Sequence, residues 1–226
     1  MHIPDGYLGP KTYGFFYILM LPLWTIGSRV VSRTLKGRYI PYTAVSAAFS
    51  FVIMMFNIPV PGGTTGHVVG SVLIALLFNP WTALLVMSVV LFVQAIVFGD
   101  GGITIFAANC FNMGFIMPFA GFYTYKLLTI KTGINSKRRW AGALIAGYTG
   151  INIAALFAGI ELGLQPLLEH AADGKPLYFP FSIRIAVPAM MIGHLTIFGI
   201  AEAVITLAGV LYTQRYDPVN IEGYRS

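Results

Sequence analysis

The chain has 226 residues, of which 57% are hydrophobic and only 10% charged. Soluble domains carry roughly 25% charged residues, so the eight acidic and fourteen basic side chains here cannot coat a water-facing surface. The composition excludes a soluble globular protein and places the chain in a membrane. The net charge of +6 does not point to nucleic acid, because the few basic residues sit between apolar spans, where positive-inside bias accounts for them.

At roughly 20 apolar residues per crossing, seven crossings take about 140 residues and leave room only for short loops. The expected architecture is an all-α integral membrane protein, a single transmembrane domain over residues 1–226. Apolar runs and their breakers predict spans over 13–30, 41–57, a short one over 67–78 that ends at Asn79-Pro80, then 81–98, 103–125, 140–164 and 183–211. The third is too short to cross unless the loop before it dips into the bundle, which is tolerated where protein satisfies its backbone. Tyr13, Tyr39, Tyr42, Trp81, Trp140 and Tyr212 lie near span ends, as interfacial anchors do.

Charge sets the expected orientation. One group of loops holds Arg29, Arg33, Lys36, Arg38, Lys126, Lys131, Lys137, Arg138, Arg139, Arg215 and Arg225; the other holds Lys11, Lys175 and Arg184. With seven spans, this split puts the C-terminus in the cytoplasm and the N-terminus outside. No basic leader precedes the first apolar stretch, so Met1 is read as the mature N-terminus. The outer face then carries residues 1–10, a Pro/Gly-rich loop over 58–67, Gly99-Asp100-Gly101-Gly102 and the stretch 165–182. The glycines and prolines of the 58–67 loop let backbone bend tightly and approach a ligand closely.

Of the four histidines, His2 is the most informative. Behind a free amine, the terminal nitrogen, the His2 amide nitrogen and the His2 imidazole Nδ1 can hold one metal. Amine and amide close a five-membered ring; amide and Nδ1 close a six-membered one. The three nitrogens lie nearly in a plane, which suits Ni²⁺ or Cu²⁺ better than tetrahedral zinc. The bland alternative is a surface residue in a frayed terminus. His67, on the same face, is the natural fourth ligand, or else a helix-start histidine bonded to loop carbonyls.

His170 lies in a polar loop, Glu169 to Lys175, that is solvated or guides cations to a mouth. His194 is expected about 15 Å into the last span at 1.5 Å per residue, where a structural hydrogen bond is the favoured role. Glu202 lies about 80° further round at roughly 100° per residue, a poor pairing for a proton relay. Asp100 stabilises a glycine-rich turn or orients a ligand histidine. Asn109 and Asn112 are expected to bond between helices. Cys110, the lone cysteine, and the methionines belong to the core. No G-x-x-x-x-G-K-[ST], H-E-x-x-H or G-x-S-x-G motif occurs, so neither P-loop ATP hydrolysis nor an intramembrane hydrolase is written in this chain.

The opening Met1-His2-Ile3-Pro4-Asp5-Gly6-Tyr7-Leu8 resembles the N-terminus of the CbiM/NikM family, the substrate-binding membrane (S) components of energy-coupling-factor nickel and cobalt transporters. The likeness continues through Pro61-Gly62-Gly63-Thr64-Thr65-Gly66-His67, Phe98-Gly99-Asp100-Gly101-Gly102, Asn109-x-x-Asn112-Met113-Gly114 and Gly159-Ile160-Glu161. It implies a seven-helix subunit whose N-terminus folds into the bundle from outside, with Met1, His2 and His67 as metal ligands. It implies capture of Ni²⁺ or Co²⁺, the Pro4-Asp5 sequence leaning toward nickel, with no organic cofactor and no enzymatic activity. The implied partners are a transmembrane coupling subunit, two cytoplasmic ATPases and a small accessory membrane subunit, in a bacterial or archaeal cell membrane. Family cores dock the coupling subunit through an A-x-x-x-A patch, which Ala44 and Ala48 match; Ala154 and Ala158 match as well. The competing function is a proton-coupled secondary metal transporter working through His194 and Glu202.

Overall fold

The computed structural model describes residues 1–60, 64–133 and 136–216. Pro61, Gly62 and Gly63 of the expected loop, and Arg225 of the charge pattern, lie outside the described residues. Helical rods appear where the apolar runs predict them: α1 (Pro10–Thr34), α2 (Ile40–Met54), α3 (Ser71–Leu77), α4 (Pro80–Phe98), α5 (106–129), α6 (Lys137–Leu168) and α7 (Ile183–Tyr216). Pro10, Pro41 and Pro80 start their helices in the first turn, where the missing N–H costs nothing. Asn79 caps α4 by accepting from the Thr82 N–H at 2.9 Å.

Among the described residues, α1, α4, α6 and α7 are long and apolar enough to cross a membrane. The molecule is a multi-pass, predominantly helical membrane protein. One departure from a purely helical expectation is a short antiparallel hairpin, β1 (Ile58–Val60) with β2 (Thr64–Gly66). It precedes α3, so the expected third span begins four residues late, and His67 stands in the irregular segment between β2 and α3.

The core lies around α6, whose inward face is built from small residues, among them Gly142, Ala143, Ala146, Gly147, Gly150, Ala154 and Ala158. Small residues let helices pack closely where lipid supplies no hydrophobic drive between them. Met20, Leu84, Met87, Met113 and Met117 fill the remaining space, and Cys110 is buried among them with a free thiol. Residues 1–9 have no regular secondary structure, yet Met1, Ile3 and Leu8 belong to the same core.

Candidate metal centre

The tail enters the bundle because its backbone finds partners there. The Asn109 side chain brackets Ile3, accepting from the Ile3 N–H at 2.9 Å and donating to the Ile3 carbonyl at 3.0 Å. Asp5 accepts from the N–H groups of Ile103 and Thr104, each at 3.0 Å, and from the Thr104 hydroxyl. Further along, the Phe179 N–H donates to the Tyr7 carbonyl, and the Gly9 N–H donates to Gln165 Oε1. The Asn109 and Gln165 bonds are buried and satisfy polar groups that apolar surroundings would otherwise leave unpaired, while the Asp5 bonds lie at the exposed rim.

These bonds deliver the Met1 amine to the Thr65 carbonyl, to which it donates. They also place His2 against His67, the two rings stacked with centroids 4.6 Å apart and planes 26° from parallel. Gly101, at φ +82°, allows the approach: a Cβ there would lie 3.3 Å from the His2 ring and 3.2 Å from the Asn109 amide. A side chain would have to fit a left-handed backbone in a space that is already occupied.

Both rings have their orientation fixed on one nitrogen and left bare on the other. His2 Nε2 hydrogen-bonds Gln94 Oε1 at 3.1 Å, and His67 Nδ1 hydrogen-bonds the Val68 carbonyl at 3.1 Å. His2 Nδ1 and His67 Nε2 are buried with no hydrogen-bond partner. Rings this close can bring both bare nitrogens to one ion at about 2 Å. Asp100 Oδ1 stands 3.5 Å from His2 Nδ1, and Asn57 Nδ2 holds the other carboxylate oxygen at 3.0 Å. A lone pair and a carboxylate facing one another make a setting for a cation.

Protonation favours the same reading. Burial pushes the Met1 amine down to about 4, with the Asp100 charge opposing. Burial, then the nearby amine, pushes His2 down to about 3, with the Gln94 bond opposing. His67 is held well below its ordinary value, first by burial and then by the nearby amine, with its bond to the Val68 carbonyl opposing. The amine and both imidazoles are therefore neutral near pH 7, the form in which nitrogen binds a metal. Burial raises the Asp100 carboxyl.

The residues singled out in the sequence do not all gather here. Met1, His2, His67 and Asp100 converge. His170 does not: it lies in an exposed hairpin closed by a bridge to Pro176, its Nδ1 bonded to the Ala171 carbonyl at 3.1 Å. His194 has the expected structural bond, Nδ1 to the Met190 carbonyl at 2.7 Å. Glu202 accepts from the Val69 N–H at 2.8 Å and from the Gly70 N–H at 3.0 and 3.1 Å, so its carboxylate secures the backbone that follows His67. Asn112 bonds between helices as expected, donating to Glu161 Oε2 at 2.8 Å. Asn109 holds the tail instead. Gln94, which sets the His2 tautomer, gave no sequence signal: it is one polar residue in an apolar run.

The chain matches the CbiM family, described as the cobalt uptake substrate-specific transmembrane region, over residues 2–219. It is 49% identical to the fused nickel transport protein NikMN of Rhodobacter capsulatus, the match covering 96% of this chain and 63% of that one. A Methanocaldococcus jannaschii protein named for metal transport is 48% identical over 96% of this chain and 93% of its own. The chain thus spans less than two thirds of the fused relative and nearly all of the unfused one. A crystal structure of a transition metal transporter superposes with a TM-score of 0.91 at 48% identity, covering 100% of this chain and 99% of that one. Through its sequence and its backbone alike, this chain belongs to the CbiM family, whose named members are metal transport proteins and not enzymes.

Proposed function

We propose that the protein is the metal-capturing membrane subunit of an ATP-driven energy-coupling-factor importer, taking Ni²⁺ in preference to Co²⁺ from outside the cell membrane. The observation that carries this reading is the pair of bare, buried nitrogens, His2 Nδ1 and His67 Nε2, on stacked rings beside a buried terminal amine. Amine, His2 amide, His2 Nδ1 and His67 Nε2 supply four nitrogens, a set that a d⁸ ion such as Ni²⁺ takes in a square plane. Asp100 faces the His2 Nδ1 lone pair, and its charge offsets that of the ion. The relatives named for nickel and for cobalt transport support both ions as cargo.

The energy comes from other chains, since this one carries no ATP-binding motif. A transmembrane coupling subunit, two cytoplasmic ATPases and a small accessory membrane subunit complete the importer, with all seven rods crossing and the C-terminus in the cytoplasm. Ala44 and Ala48 lie on an exposed face of α2 and suit docking of the coupling subunit; Ala154 and Ala158 are buried in the bundle and do not. Proton-coupled transport through His194 and Glu202 is the weaker reading, because Glu202 already serves three backbone bonds.

Ni²⁺ titration of the purified chain tests the site. The wild type should bind as a diamagnetic complex with a yellow d–d band. His67→Ala should keep the fold, lose that band and bind about 10- to 100-fold more weakly. A wild-type spectrum and affinity in His67→Ala overturn the ligand set. Metal uptake driven by a pH gradient alone, in vesicles without ATPase partners, overturns the ATP-driven assignment.

A further inference from the structure

The capture site uses two imidazoles, and a third lies beside it. His194 occupies the stretch of α7 where the helix widens into a π-turn, His194–Phe198, a distortion often found at functional positions. Its ring is fully buried. The bond from Nδ1 to the Met190 carbonyl fixes the tautomer and turns a lone pair onto Nε2, which is buried and has no hydrogen-bond partner. An orphaned buried nitrogen is destabilising, and an apolar side chain would fill the same space without that cost.

Its surroundings place it next to the metal loop. The Phe198 ring lies 5.2 Å from the His194 ring and packs so closely on Gly66 that a Cβ there would overlap it. Glu202, two turns further along α7, grips the N–H groups of Val69 and Gly70. The His67 loop is therefore held at both ends by the helix that carries His194, while the other ligands come from the tail.

An ion held by the tail has to exchange ligands before it moves on, and a bare divalent ion among buried apolar groups is strongly disfavoured. A neutral imidazole nitrogen that neither the chelate nor the protein uses is the donor such an exchange requires. Resting on the capture reading above, we propose that His194 Nε2 is a transfer ligand: with His67 it forms an inner two-imidazole site that receives the metal as the tail's nitrogens let go.

The test removes the tail imidazole and asks what still binds, using Co²⁺ as the probe because its d–d bands report coordination directly. In purified full-length His2→Ala, weak Co²⁺ binding should persist with a visible nitrogen-ligated band. Adding His194→Gln, which keeps volume and polarity, or His194→Ala should weaken that binding about tenfold or more, and adding His67→Ala should do the same. With the tail intact, His194→Gln should keep the wild-type Ni²⁺ band and affinity, with folding checked by thermal unfolding. The proposal is overturned if His2→Ala binds no Co²⁺, if His194→Gln leaves its residual binding unchanged, or if His194→Gln in the intact chain destroys the Ni²⁺ band. An intact chain that gives no nitrogen-bound Ni²⁺ spectrum defeats the capture reading itself and the inference with it.

Discussion

Residues 1–9 have no regular secondary structure, while α1, which follows them, is a helix of 25 residues. Their burial runs the other way. Met1, His2 and Ile3 are at most 3% exposed, whereas only Phe16, Met20 and Gly27 of α1 are buried. A helix satisfies its own backbone, so α1 can turn Phe15, Ile18 and Leu21 outward to lipid. The tail has no internal ladder and has to borrow its partners from Asn109, Gln165 and the backbone at 103, 104 and 179. Irregular backbone therefore suits the proposed ligand set, which has to be buried and yet able to leave, because its hold is made of a few separable bonds.

The largest effect should come from changing the length of the tail. One Ala inserted between Met1 and His2 takes either the amine off Thr65 or the ring off Gln94. Metal binding that remains should come from the tail alone and should no longer respond to His67→Ala, as read by absorption spectra beside affinity. An insertion that leaves spectrum and affinity unchanged shows that the amine is not a ligand. Asn109→Ala should be next. It breaks both bonds to Ile3 and leaves buried groups unpaired, at about 1–3 kcal/mol. Metal affinity should fall by roughly tenfold for each 1.4 kcal/mol lost from tail docking, with α1 unaffected in hydrogen exchange.

Acid separates the two regions without a mutation. The amine titrates near 8 in a free tail and at about 4 when docked; for His2 the docked value is about 3. A base whose docked value is depressed favours docking fully above its free value and loses that contribution as pH falls toward the docked one. Tail docking should thus weaken from pH 8 downward, more steeply below about 6.5 as His2 joins. The exchange protection of the Ile3 amide should record this, while α1 amides stay flat; equal protection of Ile3 at pH 8 and pH 5 contradicts the burial of a neutral amine. The smallest effect belongs to the lipid face of α1, where Ile18→Val should shift thermal stability by within about 0.5 kcal/mol.

Much of this was legible in the sequence because hydrophobic run length and chain breakers are local signals. The rods at 80–98, 137–168 and 183–216 follow from them directly, as does the position of His2 behind an amine. What holds His2 was not legible. Gln94 and Asn109 look alike in sequence, each a polar residue in an apolar stretch, and only packing shows that one fixes an imidazole and the other a piece of backbone. The hairpin before α3 escaped because its strands are three residues long and interrupted by prolines and glycines. His194 and Glu202 read in the sequence as a poor pair on one helix; in the fold Glu202 bonds the backbone that follows His67, and His194 packs on Phe198, which lies against Gly66.

The three bonds from Glu202 to the backbone at 69 and 70 have a mechanical consequence. They tie the His67 loop to α7, while the amine and His2 are held with the tail on Gln94 of α4 and Asn109 of α5. An ion held by the proposed ligand set would straddle the seam between the two pieces and work as a latch, adding its binding free energy to whatever holds the seam shut. A tight grip on scarce metal and a heavy door are then the same property. The force needed to part the pieces rises with affinity, so a tighter-binding variant should call for more work from whatever drives the opening.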